Sequence, residues 1–178
     1  MSRVGKKIIN IPEKVEVVKD ADILTVKGPL GTLTRSFRDD IEVKISDKEI
    51  TLVPRYSPES QGALWGTYGS HILNMIEGVT KGFKKDLIIE GVGYKINVKG
   101  ENVVLEIGLS HDVPVKIPEG VKVTVEKGNF SIAGYDKEAV MGFAAKLKSL
   151  KPVEPYKGKG IRYVGEQVLR KQGKKTAA

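Results

Sequence analysis

Laid over itself at an offset of 80 positions, the chain repeats its own apolar and glycine pattern. Ile23, Thr25 and Gly28 fall on Val103, Leu105 and Gly108. Ile41, Val43 and Ile45 fall on Val121, Val123 and Val125, Ile50 and Leu52 meet Phe130 and Ile132, and Gly62 meets Gly142. Strict identity is low, yet the register holds without a gap for about forty residues. A chain built this way must fold as two copies of one small domain, joined near Lys81 to Lys85. We place the repeats at 1–82 and 83–178, each large enough to bury a core but marginal alone.

Within each copy the local signals are those of an α+β unit. Val15 to Val17 and Ile23 to Val26 are β-branched runs around Lys19-Asp20-Ala21-Asp22, which predicts a hairpin. Gly28-Pro29-Leu30-Gly31 is a turn. Ile41 to Ile45 alternates with charges, and Glu49 to Val53 answers it across Ser46-Asp47-Lys48. Ser57-Pro58 offers an N-cap and first-turn proline for a helix with Leu64, Tyr68, Ile72, Met75 and Val79 on one face. Gly66 and Gly69 inside it read as close packing against the sheet. The second copy repeats this plan through strands near 87–89, 94–98, 103–107, 113–117, 121–125 and 130–133. Its helix starts after Asp136, with Val140, Phe143, Ala144, Leu147 and Leu150 inward. The expected fold is therefore α+β: two tandem duplicated domains, each a small antiparallel sheet packed with one helix, plus a basic C-terminal extension.

Charge separates what the pattern makes equal. Of 30 basic and 22 acidic residues, ten basic and two acidic lie between Lys146 and Ala178, so the whole excess of +8 sits in the last 33 residues. A solubility charge would be spread about, whereas this asymmetry points to a polyanionic partner. With no cysteine there is no disulfide framework or thiolate metal site, and a reducing compartment fits. The start lacks the apolar run of a signal peptide, and no segment approaches the roughly 20 apolar residues of a membrane span. The expectation is a soluble, cytosolic chain that takes no membrane partner.

Catalytic and nucleotide-binding readings fail on geometry. Ser110-His111-Asp112 has the residue types of a hydrolase triad, but adjacent residues cannot converge side chain to side chain. Asp39-Asp40 reads as a loop before a strand rather than a magnesium pair, and His71 has no second ligand at a metal-site spacing. Gly91-Val92-Gly93 lacks the third glycine of a dinucleotide fingerprint, and Lys157-Gly158-Lys159-Gly160 lacks the spacing of a phosphate loop. No metal, cofactor or small-molecule substrate is expected.

The chemistry that remains lies in Pro152 to Tyr163, P-V-E-P-Y-K-G-K-G-I-R-Y. Two prolines bar a helix there. Lys157 and Lys159, two apart, would aim at one side of an extended chain, and Gly158 and Gly160 would let backbone N–H groups approach phosphates. Tyr156 and Tyr163 could stack on bases or pack on their own domain. Lys148 and Lys151 flank the helix end, while Arg170, Lys171, Lys174 and Lys175 continue the charge in a segment expected to stay mobile until it meets its partner.

Several longer stretches carry a resemblance. They are S-R-V-G-K-K-I-I at the start, V-K-G-P-L-G-T-L from Val26, E-G-V-G-Y-K from Glu90, G-L-S-H at 108–111, and E-P-Y-K-G-K-G-I-R-Y from Glu154 with Gly165-Glu166 after it. Over nearly its whole length the chain resembles the family of bacterial large-ribosomal-subunit protein six. The resemblance implies two tandem α+β domains and no catalysis. It also implies binding to large-subunit ribosomal RNA near the stalk base and the sarcin-ricin loop, beside neighbouring ribosomal proteins. It carries RNA contact onto Tyr156, Lys157, Gly158, Lys159, Gly160, Ile161 and Arg162. A free-standing RNA-binding module and an adaptor for an acidic protein are the alternatives.

Overall fold

The computed structural model describes residues 8–46, 48–55, 58–126 and 128–173, without the side chains of 58–62. The chain divides into two compact units, Met1–Gly82 with Tyr135–Lys137, and Phe83–Gly134 with Glu138–Ala178. No helix among the described residues is long and apolar enough to cross a membrane.

Among its described residues the first unit holds two three-stranded antiparallel sheets and one helix. Strands β2 (Glu16–Asp20), β3 (Ile23–Gly28) and β4 (Gly31–Ser36) form a meander. Its second turn is the expected Pro29-Leu30 pair, closed by Gly28 opposite Gly31. Strands β1 (Ile9–Asn10), β5 (Ile41–Ile45) and β6 (Glu49–Pro54) form the other sheet in the order β1-β6-β5. The helix α1 (Pro58–Thr80) packs on β3, β4 and β6. Gly82, at φ +74°, caps it by donating its N–H to the Gly78 carbonyl at 3.0 Å, the left-handed ending that favours glycine. The expected N-cap Ser57 lies outside the described residues.

One expectation about α1 needs correction. Leu64 is 37% exposed, whereas its neighbour Trp65 is 7% exposed and donates its indole N–H to the Leu52 carbonyl at 3.1 Å. The large ring takes the inward position because it buries more apolar area and finds a partner for its single polar group. Trp65, Tyr68, Ile72, Met75, Ile76 and Val79 then complete a core with Leu24, Val26, Ile41, Ile50 and Leu52.

The second unit also splits its strands between two sheets. Strands β8 (Lys95–Lys99), β9 (Asn102–Glu106) and β10 (Val113–Lys116) form one meander. Strands β7 (Phe83–Glu90), β11 (Val121–Glu126), β12 (Asn129–Gly134) and β13 (Gly160–Tyr163) form the other, in the order β11-β12-β7-β13. The helix α2 (Lys137–Leu150) starts directly after Asp136 and buries Val140, Phe143, Ala144 and Leu147. These side chains share a core with Leu87, Val103, Leu105, Phe130, Ile132 and Ile161. The alternation read in the sequence thus feeds two sheets that close over one helix.

Candidate nucleic-acid interface

The stretch that follows α2 is shaped by its glycines and prolines before any partner is considered. Pro152 ends the helix, and the chain closes a tight loop. The N–H of Glu154 donates to the Lys159 carbonyl at 2.8 Å, and the N–H of Gly158 donates to the Glu154 carbonyl at 3.1 Å. Gly160 has φ +141°, and a Cβ built there would lie 2.7 Å from the Pro152 carbonyl oxygen and 2.8 Å from the Val153 Cα. Backbone cannot give way as a flexible side chain can, so only glycine fits. From Gly160 the chain runs as β13 along β7, pairing Gly160 with Glu90, Ile161 with Ile89, Arg162 with Ile88 and Tyr163 with Leu87.

This pairing changes the roles of several expected RNA contacts. Ile161 is fully buried in the core and its side chain is closed to any partner, because the strand turns its apolar residue toward α2. Gly158 has its N–H engaged within the loop, and Gly160 is buried where no phosphate could approach its Cα. Arg162 is drawn to Glu90 of β7 by a short ion pair through Nη2, and its Nη1 donates to the Glu166 carbonyl at 3.3 Å. Tyr163 packs on its own domain, with the ammonium groups of Lys85 and Lys148 each 4.5 Å from its ring centroid. Lys148 also donates to both carboxylate oxygens of Glu166, at 2.6 and 2.7 Å.

Glu166 gathers these ties. Its Oε2 accepts the Tyr163 N–H at 3.1 Å as well as the Lys148 ammonium. The Lys148 hydrogen bond first, and the Tyr163 N–H second, hold the Glu166 carboxyl below its ordinary range. On the same sheet the Ser131 hydroxyl donates to Asp86 at 2.6 Å and is the main cause of a lowered Asp86 pKa, against a smaller opposing effect of burial. Lys85, Glu90 and Glu166 are not among the expected site residues. Glu166 and Glu90 are marked in the sequence only as members of the family-like Gly165-Glu166 pair and the stretch from Glu90, and nothing local marks Lys85.

A second group of side chains faces solvent. Tyr156 is 56% exposed, Lys157 is exposed and Lys159 is half-buried. Lys151 is half-buried, its ammonium 5.7 Å from the ring centroid of Tyr94. After the turn at Gly165 the chain returns past this loop. The Lys171 N–H donates to the Pro155 carbonyl at 2.8 Å. The Arg170 guanidinium lies over Gly158, so close that a Cβ there would sit 3.0 Å from its Nη2. Arg170 and Lys171 are therefore anchored beside Tyr156 to Lys159, which corrects the expectation of an untethered segment at these two positions. Lys174 and Lys175 lie outside the described residues.

The rejected motifs take ordinary positions. Ser110, His111 and Asp112 lie exposed in the loop between β9 and β10, and Asp39 pairs with Arg55 at 2.7 Å. Gly91 to Tyr94 forms the turn between β7 and β8, closed by the Tyr94 N–H on the Gly91 carbonyl at 3.3 Å.

Comparison with known proteins agrees with the motif reading. The family model for ribosomal protein L6 matches residues 11–82 and 90–164. The chain is 46% identical over 176 residues to the large ribosomal subunit protein uL6 of Rhodopseudomonas palustris, covering 98% of this chain and 99% of that one. It is equally similar, at 46% over 176 residues with the same coverage, to the uL6 protein of Caulobacter vibrioides. A third relative, uL6 of Streptococcus equi subsp. zooepidemicus, is 46% identical over 175 residues, 98% of each chain. With two repeats matched and similarity running through the basic strand, the chain belongs to the ribosomal protein L6 family.

Proposed function

We propose that this chain is a structural, non-enzymatic constituent of the large ribosomal subunit that binds ribosomal RNA through the solvent-facing half of its C-terminal segment. The site lies at the stalk base near the sarcin-ricin loop, among neighbouring ribosomal proteins, and the protein supports translation in the cytoplasm. The repeats meet at Gly82 and Phe83, a boundary supported by the glycine cap of α1. The observation that carries the reading is the division of the cations. Lys148 and Arg162 are neutralised by Glu166 and Glu90, whereas no carboxylate pairs with Lys157, Lys159, Arg170 or Lys171 among the described ion pairs. Unpaired cations beside an exposed Tyr156 suit phosphates and an unstacked base.

Binding of the full chain to large-subunit RNA fragments across a salt series tests this. Lys157→Ala with Lys159→Ala should weaken binding and lower the salt slope by about two, one for each phosphate no longer neutralised. Lys148→Met should leave the slope unchanged, since its charge is already matched. An unchanged slope in the double variant would sink the phosphate-binding role of these lysines. An adaptor for an acidic protein would keep its partner after nuclease treatment, and a free-standing RNA-binding module would not sediment with large subunits.

A further inference from the structure

Between Pro155 and Gln172 the sequence has a single carboxylate, Glu166, among Lys157, Lys159, Arg162, Arg170 and Lys171. By charge alone it opposes a polyanion, and removing it should strengthen RNA binding. Its geometry points the other way. The two carboxylate oxygens hold the Lys148 ammonium of α2 and the Tyr163 N–H at the end of β13. Its own N–H donates to the Tyr163 carbonyl at 3.2 Å, and its carbonyl accepts from Arg162. One residue thus ties helix, strand and returning chain together. Four and five residues later that returning chain places Arg170 over Gly158 and the Lys171 N–H on Pro155.

We infer that Glu166 is a positioning residue for RNA binding, fixing Arg170 and Lys171 beside Tyr156 to Lys159 before RNA arrives. The inference rests on the RNA-binding reading above. Its physical basis is preorganisation: side chains and loops ordered in the free protein need not be ordered at the expense of binding. A charge-assisted clasp suits this use because two short bonds to one ammonium set direction as well as distance. Without the carboxylate, Lys148 is released, the Tyr163 N–H loses its acceptor, and the segment leading to Arg170 and Lys171 loses the side-chain ties at its start, keeping the Lys171 N–H bond to Pro155.

The test compares Glu166→Gln, Glu166→Asp and Glu154→Gln in the full chain, binding a large-subunit RNA fragment at fixed salt and across a salt series. Glu154 is exposed in the same loop, so its substitution removes the same charge without touching the clasp. Glu166→Gln should weaken binding about threefold to tenfold with its salt slope unchanged, the size expected for re-ordering one or two side chains. Glu166→Asp, which keeps the charge, should recover part of that loss. Glu154→Gln should bind as well as the parent or more tightly. Amide exchange in the free protein gives an RNA-independent readout: Glu166→Ala, which leaves the Tyr163 N–H without a side-chain acceptor, should speed exchange at Tyr163, Val164 and Lys171. Binding by Glu166→Gln as tight as by Glu154→Gln, or unaltered exchange, overturns the inference. Faster exchange in Glu166→Ala, with a parent chain that fails to bind RNA, overturns the RNA reading and the positioning role with it while leaving the clasp in place.

Discussion

The two repeats share one sheet plan, with β5–β6 and β11–β12 in the same register, and the second carries an extra strand at one sheet edge. In the first, the Ile11 N–H donates to the Lys48 carbonyl and the Phe37 N–H to Asp22. In the second, Ile89 donates to Gly128 and Ile117 to Glu101, the same bonds at almost the same offset. Ile9 pairs with Ile50 as Leu87 pairs with Phe130, so β1 and β7 are counterparts. Yet β1 spans two residues with one described neighbour, whereas β7 spans eight and carries β13 on its far side. The comparison teaches that the basic end is part of the second repeat's fold. Its strand supplies a core side chain, and its loops supply the charge.

Ways to break that contrast can be ranked by expected effect. The largest is Ile161→Ala, which removes a fully buried side chain from the second core and should cost about 2–5 kcal/mol. Denaturant titration should show the loss in the second repeat, with Trp65 fluorescence reporting the first repeat nearly unchanged. A comparable loss of the Trp65 signal would mean the repeats unfold as one. Next is Gly160→Ala, expected to cost about 1–3 kcal/mol because the new Cβ meets backbone atoms and φ is unfavourable for any other residue. A wild-type melting temperature would show that the loop at Lys151 to Val153 can move aside.

The smallest effect is on acid stability. Glu166 and Asp86 both have lowered pKa values in the fold. Their stabilisation is fully present above the ordinary carboxylate values of about 4, and is lost as pH falls through the lowered ones. The denaturation midpoint of the second repeat should therefore hold from pH 7 to about pH 5 and fall below about pH 4. Asp86→Asn with Glu166→Gln should flatten that fall. An equal acid loss in the double variant would assign it to other carboxylates.

The scaffold was legible in the sequence because its signals are local or periodic. Alternation at Ile41 to Ile45, the Gly28 to Gly31 turn and the helix faces each depend on residues a few positions apart. The basic segment was legible as charge but not as structure. Two prolines and two glycines read as irregular chain, and Ile161 finds its strand partner, Ile89, 72 residues earlier in the chain. The pairing of Arg162 with Glu90 and of Lys148 with Glu166 follows from that ladder, so no local pattern could separate matched cations from free ones. Trp65 displaced Leu64 from the core for a related reason. Both fit an inward helix position by spacing, and the larger apolar area of the indole together with the reach of its N–H to Leu52 decides between them.

The place of β13 in chain order has a consequence for biogenesis. Synthesis runs from the N-terminus, so the first repeat has all its strands and its helix before the second has closed its sheet. Until residues 160–163 are made, the outer edge of β7 around Leu87 to Glu90 stands unpaired, the kind of edge that recruits strands from other chains. The last strand to be translated thus acts as a guard for that edge, and a nascent chain halted before Gly160 would carry it uncovered.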